Sequence, residues 1–148
     1  MQTTLVRTWM TPDPITAPPT MTLPEALQVM RGHSIRRLPI VANGKLVGIV
    51  TRGDLRGAQP SEATSLSIFE LNYLVGRITM GQIKTRHVVT VAPSTTVQEA
   101  ARLMLKHKVA GLPVVSDGRV VGIITESDIF RLVVKTWETE SQPALEHA

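Results

Sequence analysis

The sequence predicts an α+β protein made of two copies of one β-α-β-β-α unit, related by a pseudo-twofold axis and packed through their sheets. Three observations predict it. Sliding the chain over itself by 74 residues aligns Val6 to Leu55 with Met80 to Ile129 without a gap, and seventeen of the fifty pairs are identical. Asn43-Gly44 and Asp117-Gly118 each interrupt β-branched runs. Both central residues of a two-residue hairpin turn need positive φ, which Asn, Asp and Gly tolerate, so each pair marks a hairpin. Finally, Thr22-x-x-Glu25 and Thr96-x-x-Glu99 have the spacing of a capping box, with apolar residues at helical intervals behind them.

Taken in order, Ile15-Thr16-Ala17 and Val88 to Val91 read as a short first strand, closed by Pro18-Pro19 and by Pro93. The first helix of each copy buries Leu23, Ala26, Leu27 and Met30, or Val97, Ala100, Ala101 and Met104. His33 and His107 fall at the ends of these helices, where they are expected to meet the last carbonyls. The hairpin strands are Leu38 to Val41 with Leu46 to Val50, and Leu112 to Val115 with Val120 to Ile124. Thr51-x-x-Asp54 and Thr125-x-x-Asp128 then open a second helix. Each unit's helices cover one sheet face, which leaves the other for the second repeat. The division is residues 1–58 for the first copy, 59–78 for a linker with a helix over 64–75, 79–137 for the second copy, and a disordered tail over 138–148.

Composition narrows the function. A chain of 148 residues that is 43% hydrophobic can bury a real core. Its apolar runs are far too short for a membrane span and no signal peptide is evident, so the cytoplasm is the expected compartment. There are no cysteines, and His33, His87, His107 and His147 lack the spacing of a metal cluster. The net charge of +4 admits nucleic acid, an anionic membrane or a phosphorylated ligand. An aromatic content of 3% disfavours a base-stacking platform, and nucleic acid is not the expected partner. No Ser/His/Asp set, HExxH motif, Gly-x-x-x-x-Gly-Lys loop or placed carboxylate pair points to an enzyme.

The Leu-Pro-hydrophobic-Val strand, the Gly-hydrophobic-hydrophobic-Thr-x-x-Asp ending and the Thr-x-x-Glu-Ala helix start all occur twice. Together they resemble a tandem pair of CBS domains, the Bateman module, over about residues 5–135. Pro60-Ser61-Glu62-Ala63-Thr64-Ser65-Leu66 with Glu70-Leu71-Asn72-Tyr73-Leu74 also resembles, more weakly, the linker of acetoin-utilisation-type CBS proteins. Two features depart from the family pattern. Thr8 and Gln82 stand where many members have an acidic residue, and Ser34 and Lys108 stand where a glycine often follows the first helix.

The resemblance implies a regulatory CBS pair, standing alone and homodimeric, that binds an adenosine-containing ligand in the cleft between the repeats and signals to a partner protein in trans. AMP, ADP or ATP leads; S-adenosylmethionine, NAD and cyclic dinucleotides share the ribose and adenine contacts. An ionised carboxylate offers two acceptors to the vicinal ribose hydroxyls, a role that falls to Asp54 and Asp128. Thr51 and Thr125, at a helix start, suit a phosphate. The family likeness places Thr16, Thr90, Ala110 and Gly111 along the adenine, and has Arg36 and Arg37 reach the phosphates of a nucleotide held by Thr125 and Asp128. The Asp128 pocket would then be the stronger. Plain helix capping explains Thr-x-x-Asp equally well in a single copy, and Arg36-Arg37 also reads as a solvated pair. A ligand-free dimerisation or docking scaffold is the alternative function.

Overall fold

The computed structural model describes residues 4–60 and 65–146. The elements run α1 (Val6–Trp9), β1 (Thr11–Pro12), α2 (Leu23–Gly32), β2 (Arg37–Ala42), β3 (Lys45–Thr51), α3 (Arg52–Ala58), α4 (Ile68–Val75), α5 (Met80–Ile83), α6 (Val97–His107), β4 (Gly111–Ser116), β5 (Arg119–Thr125) and α7 (Glu126–Glu146). They form two compact units, Ile15–Val88 and Met1–Pro14 with Val89–Ala148.

In the first-copy unit, β2 and β3 pair antiparallel from Arg37↔Thr51 to Ala42↔Lys45. Its core gathers Leu23, Ala26 and Met30 from α2, Leu38, Ile40 and Val50 from the hairpin, Leu55 from α3 and Met80 from α5. In the second-copy unit the sheet order is β1-β5-β4, and Val6, Val97, Ala100, Met104, Leu112, Val114 and Ile124 form the core. Both hairpins close as the sequence predicts: Asn43 and Gly44 have φ of 53° and 76°, Asp117 and Gly118 have 53° and 78°. Thr22 and Glu25 complete a reciprocal capping box, while Thr96 Oγ1 accepts from the Glu99 backbone N–H and the Glu99 carboxylate pairs with Arg102 at 2.6 Å.

Several elements differ from the sequence reading. The expected first strands shrink to single parallel bridges, Ala17↔Ile40 and Val91↔Val114. Ala17 N–H donates to Pro39 O and Val41 N–H to Ala17 O, and proline follows at once, so the ladder has no further donor. The segments ahead of these bridges do not stay with the copy they precede in sequence. Thr11 pairs with Ile123 and Pro12 with Gly122 of the second copy, whereas Thr85 pairs with Ile49 of the first. The spatial units therefore do not coincide with the repeat boundaries. Helix α7 runs to Glu146, past the Trp137 end expected from the sequence, so residues 138–146 of the expected disordered tail are helical. The linker helix is Ile68–Val75; residues 61–64 of the linker likeness and His147 lie outside the described residues.

The glycine-less helix ends have a measurable consequence. Ser34 and Lys108 sit in left-handed backbone, with φ of 53° and 55°, and the chain closes behind them through Ile35 N–H to Met30 O and Val109 N–H to Met104 O. An L-residue pays for that conformation where glycine does not. Lys108→Gly is therefore expected to stabilise by about 0.5–1 kcal/mol and raise Tm by roughly 1–4 °C. An unchanged or lower melting temperature would show that the lysine side chain compensates for its backbone.

Candidate functional site

The polar groups gather where each hairpin passes into its second helix. Thr51 caps α3 from an extended backbone, with φ −104° and ψ 165°. Asp54 N–H donates to Thr51 Oγ1 at 3.2 Å, and Thr51 N–H donates to Asp54 Oδ2 at 2.9 Å. The second copy repeats the corner with more bonds. Thr125 donates to Asp128 Oδ2 from its backbone N–H at 2.9 Å and from its hydroxyl at 3.2 Å. Asp128 Oδ1 accepts from Arg131 Nη1 at 2.6 Å, and Asp128 is only 4% exposed. Both carboxylates thus serve as helix caps. At Asp54, Oδ1 stays outside the box and the residue is half-buried; three residues on stands Gly57, where the second copy has Arg131.

The strand register decides what flanks each corner. Arg37 lies opposite Thr51, and Arg52 N–H donates to Arg36 O at 2.9 Å. Gly111 lies opposite Thr125, and Glu126 N–H donates to Ala110 O at 3.0 Å. The structure thus groups Arg36, Arg37, Thr51 and Asp54 at one corner, and Ala110, Gly111, Thr125 and Asp128 at the other. Thr16 and Thr90 are exposed and lie on separate segments, one residue before the bridges to β2 and β4. Sequence reasoning did not single out Arg131; the Asp-to-Arg spacing of three residues on a helix was the available signal.

These corners can accept hydroxyls at a carboxylate and attract an anion with guanidinium and backbone amides. Among the described residues no cluster of three or more His, Asp or Glu could hold a metal, and no helix is long and apolar enough to cross a membrane. A groove of about 650 Å³ runs between α1 and α7, where Lys135 Nζ lies 5.8 Å from the centre of the Trp9 ring. None of the residues selected from the sequence lines it.

The CBS domain family model matches residues 6–61 and again 73–135. The chain belongs to the CBS domain family. It is a tandem pair, as its sequence repeat and fold indicate. A CBS domain-containing protein of Dictyostelium discoideum is 37% identical over 119 residues, covering 79% of this CBS pair and 82% of that protein. Inosine-5'-monophosphate dehydrogenase of Korarchaeum cryptofilum is also 37% identical over 119 residues, but this chain spans only 22% of its length. A structure described as a putative acetoin utilization protein from Vibrio cholerae superposes with TM-score 0.78 at 35% identity, covering 95% of this chain and 98% of that one. The CBS domain pair of protein MJ0100, solved in complex with 5'-methylthioadenosine and S-adenosyl-L-methionine, gives TM-score 0.75 at 35% identity over 91% of this chain and 99% of that one. A third structure, CBSX2 in complex with AMP, gives TM-score 0.75 at 28% identity over 90% and 98% of the two chains.

Proposed function

We propose that this CBS pair is a ligand-sensing regulatory module that binds an adenosine-containing nucleotide at its Thr-x-x-Asp corners and conveys occupancy to a partner protein. One observation carries the reading: both copies place a threonine hydroxyl, a carboxylate and strand-end backbone groups at the same hairpin-to-helix corner. The AMP and S-adenosylmethionine complexes of similar CBS pairs support the ligand class. AMP, ADP and ATP lead at the Thr51 corner, because Arg36 and Arg37 flank it and guanidinium groups suit phosphate. Sensing asks only that the ligand bind two conformations unequally. Exposed Phe130, Val134 and Trp137 on α7 and Ile68 and Phe69 on α4 support a homodimer as the working form.

Thermal-shift screening against AMP, ADP, ATP, S-adenosylmethionine, NAD and cyclic dinucleotides tests the proposal. At a hundred times its dissociation constant a binder stabilises by about 2.7 kcal/mol. A shift with none of them would favour the second reading, a ligand-free scaffold. That alternative draws on the capping roles of Asp54 and Asp128, which need no ligand to explain them.

A further inference from the structure

On the other side of α3 from Asp54, α2 and α3 border an open concavity of about 440 Å³ lined by Leu27, Met30, Arg31, Arg52, Arg56 and Gln59. Three of its six residues are arginines. Arg52 and Arg56 are four apart on α3 and so share a face, and Arg31 meets them from the last turn of α2. All three are exposed, and among the described residues none of their guanidinium groups takes part in an ion pair or hydrogen bond. The acids of the two helices are committed elsewhere, Glu25 to Thr22 and Asp54 to Thr51. Three cations therefore crowd one concavity, and among the described residues no carboxylate pairs with them.

The fold does not demand this arrangement, and the molecule supplies its own control. At the repeat offset of 74, Arg31, Arg52, Arg56 and Gln59 correspond to Leu105, Glu126, Phe130 and Val133. The second copy builds the same helix pair with no positive charge at the matching positions, and Leu105 and Phe130 are 82% and 64% exposed there. The arginines are thus a property of one copy, added to a scaffold that stands without them.

We propose that this basin is a binding site for a compact anion carrying two or more phosphate groups. Planar guanidinium forks pair with phosphate oxygens bidentately, and three of them around one cavity match a ligand with several such groups better than a single phosphate. The volume falls within the range of small-molecule pockets, and Leu27 and Met30 add apolar lining. The site lies on the face of α3 opposite Asp54, shares only Arg52 with the Thr-x-x-Asp segment, and does not rest on nucleotide binding there.

Calorimetry of the full chain with tripolyphosphate and with inorganic monophosphate tests this. Saturable tripolyphosphate binding is expected, at least about tenfold tighter than monophosphate, and at least about tenfold weaker in the Arg31→Gln/Arg56→Gln double variant. Because both side chains are exposed, that variant should melt like the parent protein and keep whatever thermal shift AMP produces. Equal affinity in the variant, equal affinity for the two anions, or no saturable heat at millimolar ligand would each overturn the proposal. So would a short DNA duplex that binds more tightly than tripolyphosphate and is lost in the same variant, since that would make the face a nucleic-acid surface.

Discussion

Gly48→Val is expected to destabilise the protein by about 2–4 kcal/mol, lowering Tm by roughly 5–15 °C in a thermal melt. A Cβ at this position would lie 2.6 Å from Lys84 Cδ and 2.8 Å from the backbone oxygen of Thr85. The lysine chain can swing away, but the carbonyl is held by the strand. Either β3 or the α5 arm must move, which strains the two hydrogen bonds that Ile49 and Thr85 exchange at 2.9 and 3.2 Å. Each is worth about 1 kcal/mol net, and the overpacked valine adds its own cost. Gly122 is the matching position, where a Cβ would run into Met10 and the Thr11 carbonyl. Gly57→Ala is the control: nothing lies within 4 Å of its Cβ, and a helical alanine should gain up to about 1 kcal/mol. If Gly48→Val melted with the parent protein, the close crossing of the arm would not be what the glycine is for.

The second large effect separates binding from stability. Asp54→Ala is expected to remove most nucleotide affinity, about tenfold or more, while Asp128→Ala removes less. The reasons lie in each corner. Asp54 keeps Oδ1 outside its capping box and stands beside Arg36 and Arg37, whereas both oxygens of Asp128 are engaged and a ligand would first have to displace Arg131. This reverses the order expected from the sequence, which assigned the arginines to the Asp128 pocket. Stability should run the opposite way. Asp128→Ala loses a buried cap with three hydrogen bonds, of 2.9, 3.2 and 2.6 Å, at about 1–2 kcal/mol, and Asp54→Ala loses a half-buried cap at about 0.5–1 kcal/mol. The Arg131 pair adds little because the Arg131 side chain is 66% exposed. Calorimetry with AMP and ATP beside thermal melts of both variants reads the two orders at once. Stronger binding loss at Asp128 would restore the sequence expectation.

Local signals made most of the fold legible. Asn43-Gly44 and Asp117-Gly118 had one comfortable backbone, Thr22, Thr51 and Thr96 satisfy amide groups three residues on, and Thr125 donates to Asp128 at the same spacing, so a short window of sequence held the whole interaction. The partners of Thr11 and Thr85 were not legible, because each lies in the other copy's hairpin and no local pattern names it. The clue was a glycine inside each last strand, Gly48 and Gly122, which marks close backbone approach. At the site, looking for what the copies share found Thr51, Asp54, Thr125 and Asp128. Of what they do not share, only Arg36-Arg37 against Ala110-Gly111 stood out, beside a shared strand; Arg131 against Gly57, and the arginines of α2 and α3 against Leu105, Glu126 and Phe130, did not.

The way the arms are distributed also dictates an order of events as the polypeptide leaves the ribosome. The Ile15–Val88 unit is one continuous stretch and can close as soon as it has emerged. Val6 and Thr11, made before that unit, have no sheet to join until Ile123 has been synthesised. The Ile15–Val88 unit therefore settles before the segment just ahead of it, which waits for a hairpin synthesised after that unit.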